Sequence, residues 1–398
     1  MCLPACPAYE VDPRESLAPR GQVYNVRAML EGRLPLTEGL AAEIYGCLAC
    51  RACETVCPAG VPVGSIMEEA RGLITEAAKE SVWLRWSKRI LLGGVLAHPW
   101  RLSLFMALAR LGEAAGARRI VAMLSPALAE RQALLPRIPK RSVLPERLMP
   151  SGEPRGRVAL FSGCIAAHLF GDVNEATARV LQRNGYEVVV PKAQTCCGAL
   201  HLHNGLPETG RELARKNIEA FGDIEAIVVN AAGCGAALTE YGELLEGDAR
   251  AKDFAARVID VSAFLVREGF EAPKPSASTR AKRVAYDAPC HLFHAQGVKS
   301  EPRELLSQIP GVELVDYPNS ERCCGSAGIY NVTHYDMSME VLESKMKDIV
   351  PARPDIIATG NPGCHMQLTE GVRRAALSAE VVHPVVLLDR AYSEEERG

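Results

Sequence analysis

The chain has 398 residues, 48% of them apolar and 5% aromatic, with a formal charge of −3. That length favours two or three compact units over one. The near-neutral charge, with no Lys/Arg block, excludes the electrostatic footprint of a nucleic-acid binder.

Met1-Cys2-Leu3-Pro4 opens the chain without the basic-then-apolar pattern of a secretion signal. The 14 cysteines are therefore expected to stay reduced in the cytoplasm and to hold metal rather than form disulfides. Residues 1–80 carry six of them within a helical pattern, in which Ile66, Ala70, Leu73, Ile74 and Ala77 make one apolar stripe. Cys47-x-x-Cys50-x-x-Cys53-x-x-x-Cys57-Pro58 is the bacterial ferredoxin run. Three thiolates separated by two residues can wrap three corners of a [4Fe–4S] cubane, while the fourth, before proline, is directed to a neighbouring cluster. A zinc site usually needs only two such pairs, so the run is specific. Cys2-Leu-Pro-Ala-Cys6-Pro7 has the form of the tail of a second run. By the crossed-ligand rule Cys6 completes the cluster of Cys47, Cys50 and Cys53, and Cys57 joins Cys2 on a second cluster. That second cluster has only two ligands here, so the natural protein is expected to begin upstream with another C-x-x-C.

Residues 81–156 predict amphipathic helices, Pro99 breaking or starting one, and then a linker carrying Pro136, Pro139, Pro145, Pro150 and Pro154. The longest apolar stretch, Ile90 to Trp100, is interrupted by Gly93-Gly94 and His98-Pro99 and is too short and broken to span a bilayer.

From 157 short β-rich runs alternate with helices, and the pattern repeats, giving tandem α/β units at 157–272 and 280–395. Strand-like runs lead into Cys164 and Cys290, Cys196-Cys197-Gly198 is echoed by Cys323-Cys324-Gly325, and Cys234 by Cys364. Adjacent cysteines cannot readily bond to each other, but both can face a metal cluster from a sharp turn, which Gly198 and Gly325 permit. Each cysteine falls at the end of a predicted strand, where open α/β sheets place their sites. The eight are read as further cluster ligands or as relics of an ancestral site. His201, His291 and His365 beside them are read as supporting or core residues before ligands.

These repeats resemble the cysteine-rich CCG domains of heterodisulfide reductase and related proteins. With the ferredoxin region, Pro19-Arg20-Gly21, Gly233-Cys234-Gly235-Ala236, Glu240-Tyr241-Gly242 and Cys323-Cys324-Gly325-Ser326-Ala327-Gly328, the chain resembles the iron–sulfur subunit of glycolate oxidase essentially end to end, lacking only the N-terminal segment with the first cysteine pair. One departure matters. The fullest CCG motif ends in C-x-x-C, whereas Ala237 and Gln367 stand at its last position here, so the non-cubane clusters of heterodisulfide reductase are not carried over.

The resemblance implies an α+β multi-domain fold: an α-helical ferredoxin-like domain, a helical connector and two tandem α/β CCG domains. No strand-following G-x-G-x-x-G, P-loop or G-x-S-x-G is present. The resemblance places the flavin and the oxidation of glycolate on FAD-binding partner subunits, leaving this chain to relay electrons toward an acceptor such as quinone, without catalytic residues of its own. The alternatives are the equivalent subunit for lactate or glycerol 3-phosphate, a thiol–disulfide reductase of the heterodisulfide reductase kind, and a zinc-stabilised adaptor. Trp83, Trp86 and Trp100, with Lys88, Arg89 and Arg101 nearby, either plug a helix-packing core or form a docking face for a flavin subunit or the inner face of the cytoplasmic membrane.

Overall fold

A computed structural model describes residues 1–277 and 279–397. The N-terminal unit is a set of helices at Pro7–Val11, Pro19–Leu30, Glu38–Tyr45, Ala52–Thr55 and Val63–Glu76. Proline at the first position starts two of them, where its missing N–H costs no hydrogen bond, and Thr37 caps a third through Leu40 N–H. Val63, Met67, Ala70 and Ile74 turn one face of the last helix onto Val26, Ala41 and Ile44. Of the expected stripe, Ala70 and Ile74 are buried and Ile66 packs against this core, but Leu73 is exposed and Ala77 lies past the helix end, because the buried face runs through Val63 and Met67.

The connector forms a bent hairpin. Val82–Lys88 runs on as a wider π-helical stretch, Arg89–Leu96, and Pro99 starts the next helix, Pro99–Ala114. The arms meet at 105°, and among the described residues no single helix is long and apolar enough to cross a membrane. The core alternative for the tryptophans fails: Trp83, Trp86 and Trp100 are 87%, 62% and 65% exposed. Lys88 instead is buried, its ammonium 2.6 Å from Glu80.

Two sheets follow. The first holds β1 (Arg147–Leu148), β2 (Gly156–Phe161), β3 (Tyr186–Val189), β4 (Ile227–Val229) and β5 (Val258–Asp260) in the order β1-β3-β2-β4-β5. All pairs are parallel except β1, an antiparallel edge strand supplied by the Pro-rich linker. The second holds β6 (Lys282–Asp287), β7 (Val312–Leu314), β8 (Ile356–Thr359) and β9 (Glu380–Val382) in the parallel order β7-β6-β8-β9. The central strands are buried along their apolar runs, as strands covered by helices on both faces must be.

The two α/β units share one core. Leu160, Val180 and Phe264 of the first pack in the same cluster as Tyr286, Leu305 and Leu388 of the second. A bidentate ion pair, Arg179 to Asp389 at 2.9 and 2.8 Å, joins helix Gly171–Arg183 to helix Pro384–Glu395. His383 Nε2 donates to Asn230 O at 3.0 Å, and Ala232 N–H to Gly360 O, so the loops after β4 and β8 are tied together. The cysteine loops of both sheets therefore face each other.

Candidate metal centres

All cysteines in the chain are free thiols. In the N-terminal unit one cavity is lined by Cys6, Cys47, Cys50 and Cys53. Ala49 and Arg51 have φ of 51° and 63°, a left-handed pair of turns that curls the loop and brings Ala49 N–H to 3.4 Å from Cys47 Sγ. Burial pushes Cys6 up to about 11 and Cys53 up to about 12, with neighbouring cysteines adding to both. A thiol held neutral by burial ionises when a cation replaces its proton. Cys2 and Cys57 do not line this cavity. Cys57 sits half-exposed at the loop before Val61, where the N–H groups of Val61, Ala59 and Gly60 hold its thiol below the usual range.

The loop is clamped from outside. The buried Arg71 guanidinium donates to Cys47 O at 2.5 Å and to His203 O at 3.0 Å, joining the ferredoxin loop to the first α/β unit. Tyr330 donates to Gly46 O at 3.0 Å from the second. Neither clamp was expected from sequence, since both partners lie far along the chain.

In the first α/β unit Cys164 Sγ and Cys196 Sγ are 3.3 Å apart, and Cys197 hydrogen-bonds with Cys196 and Cys234. Hydrogen bonds with Cys164 and Cys197, together with burial, push the Cys196 thiol up, while hydrogen bonds with Cys196 and Cys234 draw Cys197 down. The second unit repeats the arrangement: Cys290 hydrogen-bonds with Cys323, and Cys324 with Cys323 and Cys364. Gly198 and Gly325 both sit at φ +90°, the left-handed turn that presents two successive thiols to one side.

Each turn is held by buried polar groups. Asn217 donates to Cys196 O at 3.0 Å, and Tyr241 to Cys197 O at 2.9 Å. In the second unit Ser338 donates to Gly325 O at 2.8 Å and is itself held by Gln367 at 2.9 Å. Gln367, where the fullest motif has cysteine, thus braces the turn, while Ala237 packs in the core. His201 Nε2 donates to Leu92 O at 3.0 Å, His365 packs on Phe170, and His291 Nδ1 lies 3.6 Å from Cys290 Sγ.

All eight of these cysteines line a single cavity of about 300 Å³ between the two units. The second set also touches the N-terminal one: Cys50, Cys290, Cys323 and Tyr330 pack in one buried cluster with Leu48 and Val341. The donor sets fit iron–sulfur centres, being composed of soft thiolates on strained loops.

A helical ferredoxin-type unit beside two cysteine-rich α/β units defines an iron–sulfur protein of electron transfer. Residues 1–61 match the 4Fe-4S dicluster domain, and residues 158–239 and 284–369 each match the family described as Cysteine-rich domain. The chain is 38% identical over 405 residues to a probable glycolate oxidase iron-sulfur subunit of Bacillus subtilis (strain 168), covering 97% of this chain and 91% of that one. It is 33% identical over 400 residues to the glycolate oxidase iron-sulfur subunit of Escherichia coli (strain K12), covering 99% and 93%. Lactate utilization protein A of Oceanobacillus iheyensis is 30% identical over 237 residues, 58% of this chain and 96% of that protein. The chain belongs to the family of glycolate oxidase iron–sulfur subunits, and it is an oxidoreductase subunit.

Proposed function

We propose that this chain takes electrons from a flavin-bearing partner subunit that oxidises glycolate or a related 2-hydroxy acid, and relays them to an acceptor such as quinone without catalysing the oxidation itself. Cys6, Cys47, Cys50 and Cys53 would hold one [4Fe–4S] cluster, and Cys2 and Cys57 would belong to a second. Cys164, Cys196, Cys197, Cys234, Cys290, Cys323, Cys324 and Cys364 would hold any further iron–sulfur centre. Such clusters supply one-electron carriers when bound. The residues around them exclude water and fix their spacing: Leu48, Tyr330 and Val341 fill the wall that Cys50 shares with Cys290 and Cys323.

That shared wall carries the reading, because it places two thiol sets in direct contact and makes a relay path without a solvent gap. Anaerobic purification with iron, acid-labile sulfide and EPR quantification tests it. At least one cubane per chain is expected, lost in Cys50→Ser; a colourless protein would sink the reading. The lactate relatives support a second substrate, and assay of the complex with each hydroxy acid separates the two.

The same reading places the chain on the inner face of the cytoplasmic membrane. The hairpin exposes its tryptophans together with Leu104, Leu108 and Leu111. Residues 82–135 carry eight basic side chains against two acidic ones, in a chain whose overall charge is −3. Aromatic anchors flanked by cations suit an anionic lipid surface. Co-sedimentation with phosphatidylglycerol vesicles, weakened in Trp86→Asp, is expected. If Trp86→Asp instead loses only the flavin subunit, the face belongs to that partner.

A further inference from the structure

A second cavity, of about 350 Å³, shares Cys164 and Cys196 with the cavity between the two α/β units. Its walls join two features that the relay leaves separate. Leu96, Pro99 and Leu102, at the corner of the hairpin, give an apolar part of the lining, and Cys164 and Cys196 line it as well. The side chain of His168 also lines it. His168 is 6% exposed, and neither ring nitrogen has a hydrogen-bond partner. It is the only residue in this lining, among those described, whose buried side-chain polar atoms are left unpaired. The other amides there are satisfied: Gln194 accepts from Ser162 N–H at 2.8 Å, and Asn174 donates to Ser162 O at 3.0 Å.

An imidazole buried with both nitrogens bare is costly, and a ligand carrying a carbonyl or hydroxyl would restore one of the lost hydrogen bonds. The space suits a small-molecule site: concave, apolar along Leu96, Leu102, Val143 and Leu144, with Arg141 and Lys192 as cations in the lining and His168 as the buried polar side chain left unpaired. The cavity between the two units is a weaker candidate, since eight cysteines line it and any centre they hold would occupy it.

We infer that this cavity is the exit site of the relay, where a lipid-soluble quinone binds with one carbonyl oxygen on His168 and its ring beside Cys164 and Cys196. The inference rests on the electron-relay reading and adds to it the place and class of the acceptor. The quinone gains two electrons, delivered singly from the iron–sulfur centres that the flavin subunit reduces. It takes up two protons from water, and its two carbonyls become hydroxyls. His168 positions the oxygen by donating to it. The apolar corner formed by Leu96, Pro99 and Leu102 belongs to the hairpin whose exposed face suits lipid, so the acceptor has a short route from the bilayer.

The test uses the full chain, purified anaerobically with its clusters. Photolabelling with an azido-quinone, followed by peptide mass spectrometry, should place label within residues 96–102, 141–144 or 190–195, which line this cavity and not the one between the units. Label confined to residues 131–135 or 326–332, on the cavity between the units, or no label displaceable by decylubiquinone, overturns the inference. Decylubiquinone titrated against tryptophan fluorescence should bind about tenfold more weakly to His168→Phe, as for one lost hydrogen bond, and near normally to His168→Gln. Equal binding by wild type and His168→Phe also overturns it. If His168→Phe does not fold, the photolabel on the wild type decides. EPR of the clusters after reduction by the flavin subunit is read in parallel. Clusters that reduce normally in a chain that binds no quinone reject this site and leave the relay standing.

Discussion

The ammonium of Lys345 lies 2.7 Å from the carboxylate of Asp287, and neither side chain is more than 2% exposed. Lys345 also donates to Ser320 O and Arg322 O at 2.8 Å each, the carbonyls that lead into Cys323. Asp287, the last residue of β6, accepts from Thr359 at the end of β8 at 2.9 Å. One buried ion pair therefore ties two strand ends to the turn that presents the paired cysteines.

Removing one partner leaves an uncompensated buried charge, which costs roughly 3–5 kcal/mol. Lys345→Met is expected to lose about that much in anaerobic urea unfolding, and to lose iron from the second α/β unit before the N-terminal one. Lys345→Met with Asp287→Asn should recover part of the loss, because the stranded charge is gone. A single variant as stable as wild type would show that the pair contributes nothing to the turn.

The two glycines of the paired-cysteine turns share φ +90° but not their surroundings. A Cβ on Gly325 would meet Ser338 O at 2.6 Å, whereas one on Gly198 would meet the backbone of Gly210 at 3.4 Å. Both alanine variants carry the left-handed penalty of roughly 1 kcal/mol or more. Gly325→Ala adds a backbone clash, so its melting temperature should fall further than that of Gly198→Ala. Equal shifts would mean that the second turn relaxes freely.

Asp260 caps helix Val261–Glu268 through Ser262 N–H at 2.8 Å, yet burial pushes its carboxyl up to about 6 against that hydrogen bonding, with Glu301 adding to the rise. Between about pH 4 and 6 the native chain keeps a proton that the unfolded chain has lost. Stability from this group is therefore highest below the unfolded value and falls as pH rises through 6, by about 3 kcal/mol in all. Asp260→Asn should remove this slope, so the stability difference between variant and wild type changes across that window. Parallel pH profiles from urea unfolding would show the carboxyl to be ionised throughout.

The thiol runs were legible because binding a cluster requires sulfurs at short, set intervals, and the repeat was legible because both copies keep strand, cysteine and glycine in register. Other features depend on residues far apart in the chain. Lys345 and Asp287 are 58 positions apart, and each alone reads as an ordinary surface charge. The contact of Cys50 with Cys290 and Cys323 follows from how the helical unit docks, which no local spacing encodes. The Trp-rich segment has helical periodicity whichever way its face points, so only the fold distinguishes a core from an exposed surface. Gln367 read as a missing ligand, and its bracing of Ser338 became visible only with the turn in place.

Tyr330 tests whether the wall between the two thiol sets matters to electron transfer. Its hydroxyl donates to Gly46 O, one residue before Cys47, and its ring stacks on His334 at 4.5 Å while filling the apolar cluster with Cys50 and Cys323. Tyr330→Phe removes one hydrogen bond and keeps the ring, so a loss of about 1 kcal/mol with unchanged cluster EPR is expected. Tyr330→Ala opens the wall to water. An added electron makes a thiolate-held cluster more negative, and water stabilises that charge better than packed side chains do. The N-terminal cluster's reduction potential, read by EPR-monitored titration, should therefore rise in Tyr330→Ala and stay put in Tyr330→Phe. A potential that is the same in all three proteins would show that solvent does not reach the cluster through this wall, and that Tyr330 serves packing alone.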